Sequence, residues 1–288
     1  EVPQPTHSFP PQTPPALAHT PAHLPERLTH MFTPPNYLSP SSIRLFRDCP
    51  QKFKLSKFDK IQEPPTWQQY VGTFVHDVLE HLYQVDAEER TVDRVRELAA
   101  TRWEAGNWEA QVLALAEPLG SIKDFKLTAF QCMKNLWSIE NPQDIELDGM
   151  EHKVEANVEG VQMLGFIDRF IFEDDGAVAI SDYKTGKVPS SKFTTQNEEF
   201  FQLLAYALML QEADQETTSR LQLLYLKEPV VHEISVTPVN LAVAKGVIVE
   251  TKESLDASCG TGEFHCNVTK LCDWCYFKKS GDCPAFQK

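Results

Sequence analysis

No run of this 288-residue chain is long and apolar enough to cross a bilayer; the longest nearly apolar stretch, 200–210, is broken by Gln202. The N-terminus lacks the charged-then-apolar pattern of a secretory leader, which predicts a cytoplasmic protein with no membrane partner. Cysteine is scarce and odd in number, seven in all, and five of the seven fall between 259 and 283. That distribution is a poor disulfide framework and a better metal site in a reducing compartment. Without a leader, the sequon Asn267-Val268-Thr269 is a chance match. Positive charge is short as well: 27 Lys and Arg face 41 Asp and Glu, for a net charge of −14. Such a chain does not coat nucleic acid over its whole surface, although a local basic groove stays open. Carboxylates that hold cations also count toward that total. The sequence has no internal repeat and no G-x-x-x-x-G-K-[ST] phosphate loop.

What is present is ordinary for a soluble globular chain: 24% charged and 42% hydrophobic residues, enough to bury a core in one or two domains. Residues 1–36 are dense in proline, histidine and threonine without apolar periodicity, which predicts an extended or disordered arm. Met31 is a candidate native start, which would make part of that arm foreign. Ser39-Pro40-Ser41-Ser42 opens a helix that Cys49-Pro50 ends. Thr66 caps a helix to about 85, whose Val71, Val75, Val78, Leu79 and Leu82 recur at helical spacing. A helical segment of about 86–140 follows, broken at Pro118-Leu119-Gly120, with Trp103, Trp108, Trp137 and Cys132 as packing residues.

From 151 the period changes to two. Strands are expected over 153–158, 161–172 and 177–183, joined at Glu159-Gly160 and Asp174-Asp175-Gly176. A helix over 197–211, strands over 221–226 and 231–236, and a last helix opened by Thr237-Pro238 complete the chain. The order is helix, three-strand meander, helix, strand. Residues 37–288 are read as a single domain.

Alternation along a strand puts Val178, Ile180, Asp182 and Lys184 on one side. Counting back from the 174–176 turn sets Asp168 opposite Asp182, with β-carbons within roughly 5 Å. Two carboxylates that close repel each other unless a cation lies between them, and hard oxygen ligands suit Mg2+ or Mn2+. Lys184, two residues on, is placed to steady or deprotonate a water or to offset charge on a phosphate. A bare D-x-K is common and is usually solvated. Here Ile167, Phe170, Ile180 and Tyr183 flank it, and charges among such residues are costly without partners. His76, beside Val75 and Leu79, reads by itself as a structural histidine. Gln202 and Tyr206 share a helix face at i and i+4, and by themselves read as core. Thr185, Lys187, Ser190, Ser191 and Lys192 form either a phosphate-holding loop or an ordinary solvated one.

Four segments, in this order, resemble the RecB-like branch of the PD-(D/E)xK nucleases. They are Gly72-Thr73-Phe74-Val75-His76, Gly165-Phe166-Ile167-Asp168-Arg169, Ile180-Ser181-Asp182-Tyr183-Lys184-Thr185-Gly186 and Gln202-Leu203-Leu204-Ala205-Tyr206. The resemblance runs from about 38 to the C-terminus. It is similar to stand-alone RecB-family exonucleases, and relatives include CRISPR-associated RecB-like nucleases and the AddB nuclease domain. It implies an α/β, restriction-endonuclease-like core, a mixed central sheet flanked by helices, with an added helical segment and a C-terminal cysteine-rich cluster-binding segment. It implies that His76, Asp168, Asp182 and the carbonyl of Tyr183 hold Mg2+ or Mn2+, that Lys184 is the catalytic lysine, and that Gln202 and Tyr206 complete the site. Asp182 stands where several relatives have glutamate.

Cys272-Asp273-Trp274-Cys275 and Cys283 bring three thiolates within reach of one centre, and a closed site requires a fourth ligand. Spacing leaves Zn2+ and an iron–sulfur cluster about even. Zn2+ has Cys266 or His265 available beside the three, and Cys259 with Cys266 is a further alternative. The resemblance implies Cys49 as the fourth ligand and a 4Fe–4S cluster, in a segment of about 259–288, stapling the start of the domain to its end.

The expected function is a metal-dependent deoxyribonuclease, an exonuclease acting on DNA ends or single strands in repair or recombination. DNA is its partner, together with a helicase or other recombination or repair protein that supplies any ATPase activity. The alternatives are a CRISPR-associated nuclease of spacer adaptation and a non-catalytic DNA-binding subunit of a helicase–nuclease complex.

Overall fold

The computed structural model describes residues 31–192 and 194–287; most of the expected N-terminal arm lies outside them. Helices α1 (Pro40–Asp48) and α2 (Pro50–Lys57) come first. Ser39 and Ser42 close a reciprocal cap on α1, and Pro40 fills its first position. Cys49, extended at φ −165°, ends α1 as expected and at once begins α2, a helix that no apolar periodicity announces. The last residues of the expected arm are docked. Phe32 donates its N–H to the Cys259 carbonyl at 3.1 Å and sets its ring 5.0 Å from Phe58 and 5.5 Å from Phe264.

Helix α3 (Trp67–Tyr83) starts at a capping box of Thr66 and Gln69. It packs with α4 (Val92–Ala105), α5 (Trp108–Leu113) and α6 (Ile122–Asn135) around Phe74, Trp103, Trp108 and Phe125. Cys132 is buried there, as its helical setting predicts. The expected break at Pro118-Leu119-Gly120 falls in the connection between α5 and α6.

Five strands follow: β1 (Gly149–Val158), β2 (Val161–Phe172), β3 (Val178–Lys184), β4 (Thr218–Tyr225) and β5 (Val230–Ser235). β1 starts earlier than the expected 153. The sheet order is β1-β2-β3-β4-β5, antiparallel except for the parallel β3–β4 pair. Between β3 and β4 run the single turn α7 (Gln196–Glu199) and α8 (Phe201–Asp214). α9 (Pro238–Thr261) and the short α10 (Tyr276–Lys279) end the chain.

The sheet separates two cores. Val178, Ile180, Leu221 and Leu223 meet α1, α2, α8 and α9 on one side. Tyr183, Leu224 and Leu226 meet α3 to α6 on the other. α8 shows why period alone misleads: every residue from 203 to 210 is buried, so it is enclosed rather than one-faced. No helix of the described residues is long and apolar enough to cross a membrane.

Candidate functional site

The β1–β2 hairpin pairs regularly from Val158↔Val161 back to His152↔Ile167, skips one position and resumes at Met150↔Arg169. The skipped position is Glu151 facing Asp168. The inside–outside alternation of both strands breaks there. Val154 and Ile167 belong to the α8 side, whereas Met150 packs against the α3 side and Arg169 bonds into it. Glu151 absorbs the break with φ +44°, in the left-handed region that only glycine adopts without cost. Irregularities of this kind re-aim side chains beside active sites. On the other flank, β2–β3 keeps the expected register as far as Arg169↔Ser181 and stops one step before Asp168 and Asp182.

Three elements converge on this break. His76, from α3, lies with Nε2 2.9 Å from the Tyr183 carbonyl and Nδ1 3.3 Å from Oδ2 of Asp168. The same Oδ2 accepts the Tyr183 N–H at 3.3 Å. Ligand atoms of His76, Glu151 and Asp168 all lie within 4.8 Å of one another, the one such group of three among the described residues. Asp182 is buried, and its Oδ2 forms an ion pair with Lys184 Nζ at 2.6 Å without an aligned hydrogen bond. Lys184 Nζ also donates to Gln202 Oε1 at 3.4 Å, and Gln202 Nε2 donates to Tyr206 Oη at 3.3 Å. Gly165 makes room for that tyrosine, since a Cβ there would lie 2.4 Å from Tyr206 Cε1.

Burial first, and then the charge of Asp182, push the Asp168 carboxyl well above its ordinary value. Glu151 is also raised, by burial and then by Glu80. Carboxylates packed this way stay ionised together only with a cation among them. The donor set of imidazole, carboxylates and a backbone carbonyl fits a divalent ion. Glu151 is the residue that sequence reasoning missed. The signal was present: counting back from the Glu159-Gly160 turn sets it opposite Asp168, as counting from the next turn relates Asp168 to Asp182.

The Tyr183 side chain leaves on the other face. Its phenol accepts from Arg169 Nη1 at 2.9 Å, and Arg169 also donates to Tyr83 Oη and to both Glu140 oxygens, at 2.6 and 2.7 Å. Burial pushes the Tyr183 phenol up to about 12, against the pull of Arg169. A buried, bonded side chain thus fixes the orientation of the backbone carbonyl facing His76.

Cys49, Cys266, Cys272, Cys275 and Cys283 line one cavity of about 430 Å3 between the α1–α2 junction and the C-terminal segment. Asn267 Nδ2 donates to the Asp48 carbonyl at 3.0 Å and joins the two walls. The Sγ atoms of Cys266 and Cys283 lie 3.9 Å apart. Burial and then Cys283 push the Cys266 thiol up to about 11. Five thiols line this one cavity, and no three of their sulfur atoms lie within 4.8 Å of one another. Cys259 is buried in the hydrophobic core and, like His265, is absent from the lining.

A sequence profile described as PD-(D/E)XK nuclease superfamily matches residues 37–280. An uncharacterized protein of Rickettsia bellii (strain RML369-C) is 27% identical over 177 residues, covering 58% of this chain and 21% of that protein. The chain therefore spans about a fifth of that relative's length. A crystal structure of a candidate exonuclease from Eubacterium rectale superposes with a TM-score of 0.56 at 14% identity, covering 83% of this chain and 88% of that one. That likeness shows a shared fold: a mixed five-strand sheet flanked by helices.

Proposed function

The chain belongs to the PD-(D/E)XK nuclease superfamily, and on that premise we propose that it is a divalent-metal-dependent deoxyribonuclease of the RecB-like branch, an exonuclease acting on DNA ends or single strands in repair or recombination. The observation that carries this reading is the convergence of His76, Asp168 and the Tyr183 carbonyl beside a lysine ion-paired to a buried Asp182. His76, Glu151, Asp168, Asp182 and the Tyr183 carbonyl are the residues that would hold Mg2+ or Mn2+. A divalent ion there would supply charge for the scissile phosphate and acidify a water.

The chain's own residues do the rest. Lys184 is held between Asp182 and Gln202, which aims its ammonium at one point and leaves it able to move a proton or neutralise an oxyanion. Gln202 and Tyr206 form a hydrogen-bonded pair that positions it. Arg169 and Glu140 lock Tyr183 from behind. Cys49, Cys272, Cys275 and Cys283 would hold a 4Fe–4S cluster, with Zn2+ as the alternative, as a staple rather than a reactive centre. In this reading residues 37–288 form one nuclease domain that works in the cytoplasm with a helicase or other repair protein.

The test is digestion of end-labelled DNA with and without Mg2+, beside Asp182→Asn. Metal-dependent loss of terminal nucleotides that the variant lacks is the expected result. Binding without cleavage at any metal concentration would overturn the enzyme reading in favour of a non-catalytic DNA-binding subunit.

A further inference from the structure

α1 carries two exposed arginines, Arg44 and Arg47, three residues apart and so neighbours on one helix face. Neither takes part in an ion pair among the described residues. In a chain whose acids outnumber its bases 41 to 27, such a pair sets two permanent cations on one helix face, with the carboxylates of Asp48 and Glu198 close by. Its position gives it meaning. Arg44 and Ser41 line a cavity of about 250 Å3 whose far wall is Gln202, the residue that receives the Lys184 hydrogen bond. Arg47 stacks its guanidinium 6.0 Å over the Phe201 ring and lines the cysteine cavity. Leu45 and Asp48 border both cavities, so one helix face runs from the cavity beside Gln202 to the cysteine site. The acids nearby are Asp48, which is exposed, and Glu198, whose carboxylate already accepts from Thr195 at 2.9 and 3.0 Å.

Resting on the nuclease reading, we propose that Arg44 and Arg47 form a phosphate-binding subsite for a single DNA strand, holding the backbone next to the scissile phosphate and leading it from Gln202 along α1 toward the cysteine cavity. Guanidinium suits this task, because it is permanently charged and meets a phosphate through two parallel hydrogen bonds. The contact is to the backbone, so it adds affinity and register without sequence preference.

The experiment is fluorescence-anisotropy binding of a labelled oligothymidylate, in Ca2+, across a salt series, for the full chain. Arg44→Ala/Arg47→Ala should weaken binding by on the order of tenfold and flatten the plot of log affinity against log salt by about 1.4, roughly 0.7 per lost phosphate contact on a single strand. Arg44→Lys/Arg47→Lys keeps both charges and should keep the slope while losing part of the affinity. Lys123→Ala/Lys126→Ala, on α6, should change neither. If the alanine pair binds with the parent's affinity and slope while the parent cuts DNA, the subsite is overturned and the nuclease reading stands. A parent that neither binds nor cuts DNA overturns both.

Discussion

Lys184 and Glu151 are the two residues at which the candidate site is most exposed to test. Lys184 shares its strand face with Asp182 and pairs with it at 2.6 Å. Lys184→Ala should lower the single-turnover cleavage rate by at least ~100-fold while DNA still binds in Ca2+. Arginine should rescue poorly, since its planar head does not release a proton. Cleavage at the parental rate would return the hairpin to a scaffold role. Glu151 tests a trade between stability and activity. Its φ of +44° costs an L-residue roughly 1–2 kcal/mol, which glycine avoids apart from some chain entropy. Glu151→Gly should therefore raise stability in urea by about 1 kcal/mol and raise the Mg2+ needed for half-maximal cleavage by about tenfold. A glycine variant that is less stable and fully active at limiting Mg2+ would show that Glu151 holds the bend rather than the metal.

Among the elements, the contact between the helical segment and the sheet carries one buried ion pair within its apolar core. Arg169 on β2 meets Glu140, beyond α6, with side chains 4% and 14% exposed, and Tyr83 of α3 bonds to the same carboxylate. The pair ties the 86–140 region to the strand that carries Asp168. Removing one partner strands a buried charge, at roughly 3–5 kcal/mol. Glu140→Ala should lose about that much in urea denaturation, and Arg169→Met/Glu140→Leu, which removes both charges, should recover a large part. A Glu140→Ala loss below ~1 kcal/mol would mean that water reaches the guanidinium and that the clamp on Tyr183 is weak.

Across the whole molecule, the cysteine cavity joins the α1–α2 junction to residues 266–283, so a group bound there closes nearly the full length of the domain. The entropy lost on closing a loop rises with the logarithm of its length, so a staple across so long a loop restrains the unfolded chain more than one across a short loop. Protein prepared without oxygen should contain about four irons with matching sulfide. Cys49→Ser should lose them and melt earlier. Cys266→Ser should keep them, because the proposed ligand set does not use that thiol. Stoichiometric zinc without sulfide would replace the cluster with the Zn2+ alternative. Iron lost from Cys266→Ser and kept by Cys49→Ser would move the fourth ligand to Cys266.

The sequence by itself determined the hairpin registers, the cap residues Ser39, Thr66 and Thr237, and the order of the five strands, but not α2. These depend on turn length, alternation and side-chain-to-backbone bonds that close within a few residues. The sequence also raised Asp168, Asp182 and Lys184 as a site, because charges inside apolar strands require partners. Only the tertiary structure brought His76 from α3 to the Tyr183 carbonyl, at a sequence separation of 107. It alone placed Glu151 in the group and Cys266 in the cavity, and took Cys259 into the core. Periodicity carries no record of which strands break their alternation or which helix faces meet. That is decided when both faces of the sheet are covered, and the two cores fix where the polar residues between them converge.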